Sequence, residues 1–291
     1  MQYARTSWIK INEIARQPGD PVAFLIPIGC LEEHGPHLPV ATDGMLAQDF
    51  AIAAADILDG RIMVGPTIDF GVSVLTQGFP GTVRVRFETL KALLTDVIHS
   101  AISWGFTRII LWTWHGGSSH RICLRETCIS ILRAMAGDSK NPNRYRGMMP
   151  GDQDEQFVKS TKDHRACQEG QEISGQDVDL FILRGVKLFD DETFKKRLDG
   201  ILETRSEHAG ELETSLMLHL HPELVDTANL VVEYPSIPRF KVISEGRPYL
   251  EHGVIGDATV ATKEKGERIF KLMLEELCLH LEAILSSPGS D

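Results

Sequence analysis

Apolar positions along this chain fall into two alternating kinds of segment. Short continuous runs cover 22–28 (Val-Ala-Phe-Leu-Ile-Pro-Ile), 62–66 and 107–113 (Thr-Arg-Ile-Ile-Leu-Trp-Thr). Runs of this length, unbroken by polar residues, predict strands buried on both faces. Between them lie segments of helical period near 44–58 and 87–104, and a further helix is expected after Ser119, beginning at Arg121. Another helical pattern starts near Ala209, and an amphipathic one at about 262–285 covers the sheet. Strand and helix in alternation predict an α/β fold with a mostly parallel central sheet and helices on both faces. Ligands in such folds collect beyond the carboxyl ends of the strands.

The stretch 138–175 breaks this rhythm. It is polar, lacks periodicity and is too long for an ordinary connection, so it is read as a lid or an oligomerisation insertion. A chain of 291 residues can form one or two α/β domains, and no composition break divides it, so 1–291 is taken as one. Neither internal repeats nor low-complexity tracts are present.

Candidate chemistry gathers where the strands end. Glu32 and His34 follow the first apolar run two residues apart, so an extended backbone aims both at one point while Glu33 points away. Gly35-Pro-His-Leu-Pro-Val-Ala-Thr42 holds two prolines, which make it a stiff loop able to return Asp43 toward the strand end. Two carboxylates and an imidazole form a mixed oxygen and nitrogen set suited to Zn, Mn or Fe. Taken singly, Asp43 also reads as the cap of the next helix. His115 stands at the end of a second strand, before Gly116-Gly117-Ser118-Ser119. The paired glycines admit a close approach, and the following helix N-terminus offers N–H groups to negative charge. A third cluster, Ser206-Glu-His-Ala-Gly-Glu-Leu-Glu-Thr-Ser215, precedes apolar Leu216-Met-Leu218, with Glu211 and Ser215 on one helical face and Glu213 on another.

These segments resemble the creatininase (creatinine amidohydrolase) family of metal-dependent amidohydrolases. The resemblance rests on Gly29-Cys-Leu-Glu-Glu-His-Gly-Pro-His-Leu-Pro39 with Thr42-Asp43, Phe79-Pro-Gly-Thr82, His115-Gly-Gly117 and Glu207-His-Ala-Gly-Glu-Leu-Glu-Thr-Ser215. Gly253-Val-Ile-Gly-Asp257 and Ala261-Thr-Lys-Glu-Lys-Gly266 extend it toward the end. It implies that Glu32, His34, Asp43 and His115 are metal ligands, with Asp43 bridging two ions, and that Glu207 and His208 handle protons. It also implies a homo-oligomer, a hexamer by analogy, acting on a small-molecule substrate with one or two divalent ions (Zn, Mn or Fe).

Five departures accompany it. Thr113-Trp114 stand where many members have Asn-Gly, and Ser118 replaces an Asn. Gly117 occupies the place of a ligand Glu of creatininase, so Glu211 is the expected substitute. Leu75-Thr76 replace a Glu-His pair, and Cys30 replaces a small hydroxyl residue and is read as a small buried hydrophobe. Trp114 is either a pocket wall or plain packing. His37 and His120 are expected near the ligands without joining them, and His219 and His221, two apart on a helix, diverge as structural or solvated groups.

Charge and cysteine usage narrow the partners. With 41 acidic against 30 basic residues the net charge is −11, which argues against nucleic acid, since phosphate binding needs a basic face. Five cysteines without a Cys-x-x-Cys pair make a disulfide framework unexpected, and no run reaches membrane-spanning length, so a cytoplasmic protein is expected. The reading that joins these features is hydrolysis of a C–N bond in a small amide, lactam or cyclic amidine. Ring opening of a cyclic ketone or sugar derivative is the alternative reaction, and a non-catalytic metal or ligand binder on the same scaffold is the alternative class.

Overall fold

The computed structural model describes residues 1–135, 157–158, 177–185, 196–198, 200–205, 207–238 and 242–287. Within them the predicted alternation forms an α/β sandwich around one five-stranded sheet. Strands β1 (Ala23–Ile28), β2 (Ile62–Val64), β3 (Arg108–Thr113), β4 (Phe157–Val158) and β5 (Asp179–Arg184) lie in the order β2-β1-β3-β5-β4. All neighbours pair in parallel except β4, which joins the edge antiparallel to β5. Helix α1 (Trp8–Ala15) leads into the sheet, α2 (Thr42–Ile57) follows β1, α3 (Phe87–Trp104) precedes β3, and α4 (Ser118–Met135) follows it. Helices α5 (Glu211–Leu220) and α6 (Lys263–Ser286) complete the layers.

Period-two alternation along the strands sorts the apolar residues into two cores. Phe24, Ile26, Ile28, Ile109 and Leu111 meet apolar residues of α1, α3 and α4 on one face. Leu25, Ile110 and Trp112 meet α2, α5 and α6 on the other. Because both faces are covered, the strands carry no polar alternation, and β1 and β3 are buried from end to end. Pro27 sits inside β1 without breaking it. Its carbonyl accepts from Ile68 N (2.9 Å), so its N–H-lacking nitrogen faces the side where β2 has already ended at Val64.

The expected strands and helices agree with the observed ones to within two residues, the one near Ala209 beginning at Glu211, except that the helix after His115 begins at Ser118 rather than Arg121. Several of the described elements were not anticipated. In α1 the exposed Trp8 and Ile9 blur the amphipathic pattern, although Ser7 caps it by accepting from Lys10 N. The run Leu180-Phe-Ile-Leu183 of β5 follows a long aperiodic stretch that masks it. The small pair β6 (Val232–Glu233) and β7 (Gly256–Asp257) is too short to carry a pattern. Apart from Phe157–Val158, the 138–175 stretch read as a lid or oligomerisation insertion lies outside the described residues. Among the described residues no helix is long and apolar enough to cross a membrane.

Strand register places the chemistry. Ile28 pairs with Thr113, and Trp114 N donates to Ile28 O (3.1 Å), so the carboxyl ends of β1 and β3 run out side by side. From this pair the chain crosses to β2 on one side and to β5 on the other, which opens a crevice at the strand ends. Helix α2 enters that crevice because Gly29 and Gly44 touch through their backbones. A methyl at Gly29 would overlap the Gly44 nitrogen and Cα, and one at Gly44 would overlap the Asp69 carboxylate. Overpacking of a tight contact costs about 1–3 kcal/mol. Gly29→Ala is therefore expected to lower stability by about that amount in chemical denaturation. An unchanged midpoint would contradict the close approach.

Candidate metal centre

Glu32 and His34 leave the end of β1 in extended backbone, fixed by Glu32 N donating to Val40 O (3.0 Å) and by a bridge between His34 and Leu38. The two-proline loop thereby folds back, as its stiffness predicts, and delivers Asp43 into the first turn of α2. Asp43 makes no cap contact. It is buried against His34 and His115, with Oδ1 3.4 Å from His34 Nε2 and Oδ2 3.1 Å from His115 Nδ1. Glu32 Oε1 lies 2.8 Å from the same His115 Nδ1. The four residues expected at the strand ends are thus brought together.

Each side chain is oriented from behind. His34 Nδ1–H donates to Glu32 O (3.0 Å), which turns Nε2 toward Asp43. Thr76 Oγ1 donates to Glu32 Oε2 (2.7 Å) and is itself bonded to Ser73, leaving Glu32 Oε1 for His115. The ring of His115 packs over Gly117, where a Cβ would stand 2.6 Å from Nε2. His120 meets His115 edge-on at 4.8 Å between centroids and bonds Thr113 Oγ1 through Nε2 (3.3 Å). His37 Nε2 is 2.9 Å from Thr214 Oγ1. Both rings stand beside the cluster without entering it.

The third sequence cluster divides differently from its expected roles. Glu211, anticipated as the last ligand, is turned away: Lys265 Nζ binds its Oε1 at 2.6 Å, and Glu203 N, Thr204 N and Thr204 Oγ1 bind the carboxylate at 2.8–3.0 Å. Glu213 faces the cleft instead, with Oε2 4.0 Å from His34 Nε2. The physical reason is the entry into α5. Ala209 adopts a left-handed backbone (φ 50°), Gly210 caps the helix, and Glu213 at the third position reaches back to accept from Ala209 N (2.7 Å). Trp114 Nε1 donates to Glu213 Oε1 (3.0 Å), while the indole stacks on Phe50 at 5.3 Å. Trp114 is therefore both buried packing and an orienting donor. A glutamate three places beyond a capping glycine was the signal in the sequence that pointed to Glu213.

His208 lies beside the cluster, its ring centroid 4.4 Å from that of His34. Its partner is Glu33 rather than Glu207. His208 Nε2–H donates to Glu33 O (2.9 Å), and Glu33 Oε1 lies 3.5 Å from the same nitrogen. Glu33, expected to point away, is buried, and its other oxygen accepts from Gly35 N (2.9 Å). Glu207 is exposed and paired with Arg205. His221 bonds Asp49 (2.6 Å) and His219 lies against Phe270, both away from the cluster as expected.

Electrostatics show what the cluster lacks. Burial alone would depress His34, but Asp43, Glu213 and Glu32 outweigh it and raise its pKa to about 10. Burial is likewise overcome at His115, where Glu32 and Asp43 hold the ring well above the ordinary value. Burial would raise both carboxylates, yet His115 keeps Glu32 well below its usual range, and His34 and His115 lower Asp43. His120 is pushed down to about 3 by burial and by His115, and His37 to about 4 by burial and by His34. Burial, then Glu32 and Asp43, drive the Cys30 thiol well above its ordinary value. Protons on His34 and His115 thus supply the positive charge these carboxylates demand. His34 Nε2, Asp43 Oδ2 and His115 Nε2 remain buried without hydrogen-bond partners. Three overlapping groups have donor atoms within 4.8 Å of one another: Cys30, Glu32 and His115; Glu32, His34 and His208; His34, Asp43 and Glu213. Buried, with three of its polar atoms unpartnered, and rich in carboxylate and imidazole, this donor set fits a divalent cation.

Comparison with known proteins identifies the fold and the family. The chain is 28% identical over 269 residues to a mycofactocin precursor peptide peptidase of Mycobacterium ulcerans (strain Agy99), covering 87% of this chain and 82% of the relative. It is 26% identical over 270 residues to a creatinine amidohydrolase of Pseudomonas putida, covering 90% and 89%. A solved structure described as creatininase with Mn superposes with a TM-score of 0.76 at 22% identity, covering 98% of this chain and 99% of that one, and so shares the fold. The family model for creatininase, described as creatinine amidohydrolase, matches residues 4–281. On that match, which spans nearly the whole sequence, the chain belongs to the creatininase family.

Proposed function

We propose that the cluster is the metal centre of a creatininase-family hydrolase that cleaves a C–N bond in a small amide, lactam or cyclic amidine. The observation that carries this reading is Asp43, whose two oxygens face different imidazoles in a buried setting where Oδ2 has no hydrogen-bond partner. Glu32 and His115 would hold an ion on one side of it, and His34 and Glu213 on the other. Glu213 takes the place assigned to Glu211 because Glu211 is consumed by Lys265 and the Glu203–Thr204 backbone. Divalent ions held by these residues would supply Lewis-acid chemistry, activating water and polarising the scissile carbonyl.

The remaining work falls to the chain. Thr76 and Trp114 keep Glu32 and Glu213 aligned so that neither carboxylate swings onto the substrate. His208 protonates the departing nitrogen, which leaves poorly as an anion. Burial and then His34 lower its pKa, but the Glu33 hydrogen bond and the charges of Glu32 and Glu213 prevail and raise it. With Nε2–H committed to Glu33, the proton that His208 gives up is the one on Nδ1. Glu33 thereby takes the orienting role that Glu207, exposed on Arg205, is not placed to perform.

The names of the relatives span a peptide and a small cyclic amide, and amide C–N cleavage is common to both. A turnover panel of creatinine, formamides, short peptides and cyclic ketones separates these substrates from the ring-opening alternative. Hydrolysis that chelator abolishes supports the proposal. Bound metal without turnover across the panel favours a non-catalytic binder.

Three outcomes are expected. Glu213→Gln and Asp43→Ala should lose metal measured by elemental analysis, whereas Glu211→Gln should keep it and lose thermal stability. Retention of full metal content by Glu213→Gln would remove it from the centre. His208→Ala should keep its metal while turnover drops by about 10²–10⁴-fold. Loss of metal in that variant would make His208 a ligand. Finally, since His34 holds its proton up to about pH 10, cation binding at pH 7 must displace protons and tighten as pH rises. Calorimetric titration with Zn²⁺ in buffers of different ionisation enthalpy should show net proton release, and its absence would contradict the charge assignment.

A further inference from the structure

Cys30, Glu32 and His34 are spaced i, i+2, i+4 along the extended segment that leaves β1, so their side chains share one side of the backbone. That side is the cleft. The Cys30 sulfur is fully buried, and it shares with Glu32 and His115 a set of donor atoms all within 4.8 Å of one another. Behind it stands Gly71, whose missing side chain makes room for it, since a Cβ there would come within 2.7 Å of Sγ. The wall and the opening together aim the thiol at the Glu32–His115 side of the centre. Asp43 Oδ2, buried and without a hydrogen-bond partner, faces that same side at 3.1 Å from His115 Nδ1. Among the described residues the other buried cysteines are spent in packing: Cys123 and Cys128 on the α4 face and Cys278 on α6.

Resting on the metal-centre reading above, we propose that Cys30 is a sulfur ligand to the ion held by Glu32 and His115, which makes the two halves of the centre chemically unequal. In forming the bond the thiol gives its proton to solvent and the sulfur lone pair to the cation, with no change of oxidation state. Glu32, Asp43, Glu213 and a thiolate together carry the charge that balances two divalent ions beside neutral imidazoles. A thiolate favours Zn²⁺ and Co²⁺, whereas a centre of carboxylate and imidazole alone accommodates Mn²⁺. The Glu32–His115 side is thus selective for the softer ions, and the His34–Glu213 side is not.

The test loads the full-length protein with Co²⁺ and records its near-ultraviolet spectrum together with elemental analysis. A thiolate-to-cobalt charge-transfer band is expected in the native chain. Cys30→Ser should lose that band while keeping bound cobalt and a native circular dichroism spectrum. In competition between Zn²⁺ and Mn²⁺, the same variant should shift toward Mn²⁺ by at least about tenfold. Cys30→Ala, which introduces no hydroxyl, guards against a folding artefact of the serine. Cobalt bound to the native protein without the band overturns the sulfur ligand and leaves the metal centre standing. A band that survives in both variants does the same. Failure of the native protein to bind cobalt, zinc or manganese overturns both readings.

Discussion

A buried carboxylate set between two imidazoles is the interaction on which the rest of the site depends. Asp43 is carried on α2, His34 on the segment after β1, and His115 on the segment after β3. None of these elements could bring an ionised group out of water alone, because an unpaired buried charge costs several kcal/mol. Their convergence requires that the strand ends lie side by side and that α2 approach to backbone contact. The Ile28–Thr113 pairing provides the first condition and the Gly29–Gly44 contact the second. The fold can therefore be read as a device that holds three negative side chains near two or three imidazoles in a dry crevice.

Such a crevice has two ways to balance its charge. Without a cation it binds protons, and His34 and His115 hold them against the pull of burial. On the proposed reading, a cation would take the place of those protons. The supports around the cluster, Thr76 on Glu32, Trp114 on Glu213 and the Glu32 carbonyl on His34, serve either state because they grip the sides of each group that face away from its partners. Trp114 and Thr76, two of the residues expected to depart from the family pattern, thus have structural work to do. The Trp114 indole reaches across to α5 to anchor a carboxylate, and Thr76 steadies another.

Much of this was legible in the sequence, for reasons that differ by element. Parallel strands buried on both faces announce themselves as uninterrupted apolar runs, so β1 and β3 and the location of Glu32, His34 and His115 at their ends could be read directly. Asp43 was reachable because two prolines leave the loop little choice of path. That Glu213 rather than Glu211 faces the cleft was not legible, because a helical wheel ranks faces only when the helix axis is known. The left-handed Ala209 sets that axis and cannot be seen in the sequence. Glu33 was set aside by strict strand alternation. That rule fails because the segment bends at Gly35, and the carboxylate finds the Gly35 N–H and His208. Glu207 stood beside a histidine in sequence, but adjacency along the chain carries no information about which neighbour is buried.

The central claim is that cations bind on either side of Asp43. The most direct measurement is anomalous X-ray diffraction from crystals of the protein soaked separately in Zn²⁺ and Mn²⁺. The account predicts anomalous density between Asp43, Glu32 and His115, or between Asp43, His34 and Glu213, or at both. Density confined to the Glu211–Lys265 side of α5, or no ordered cation near Asp43 in either soak, would contradict it.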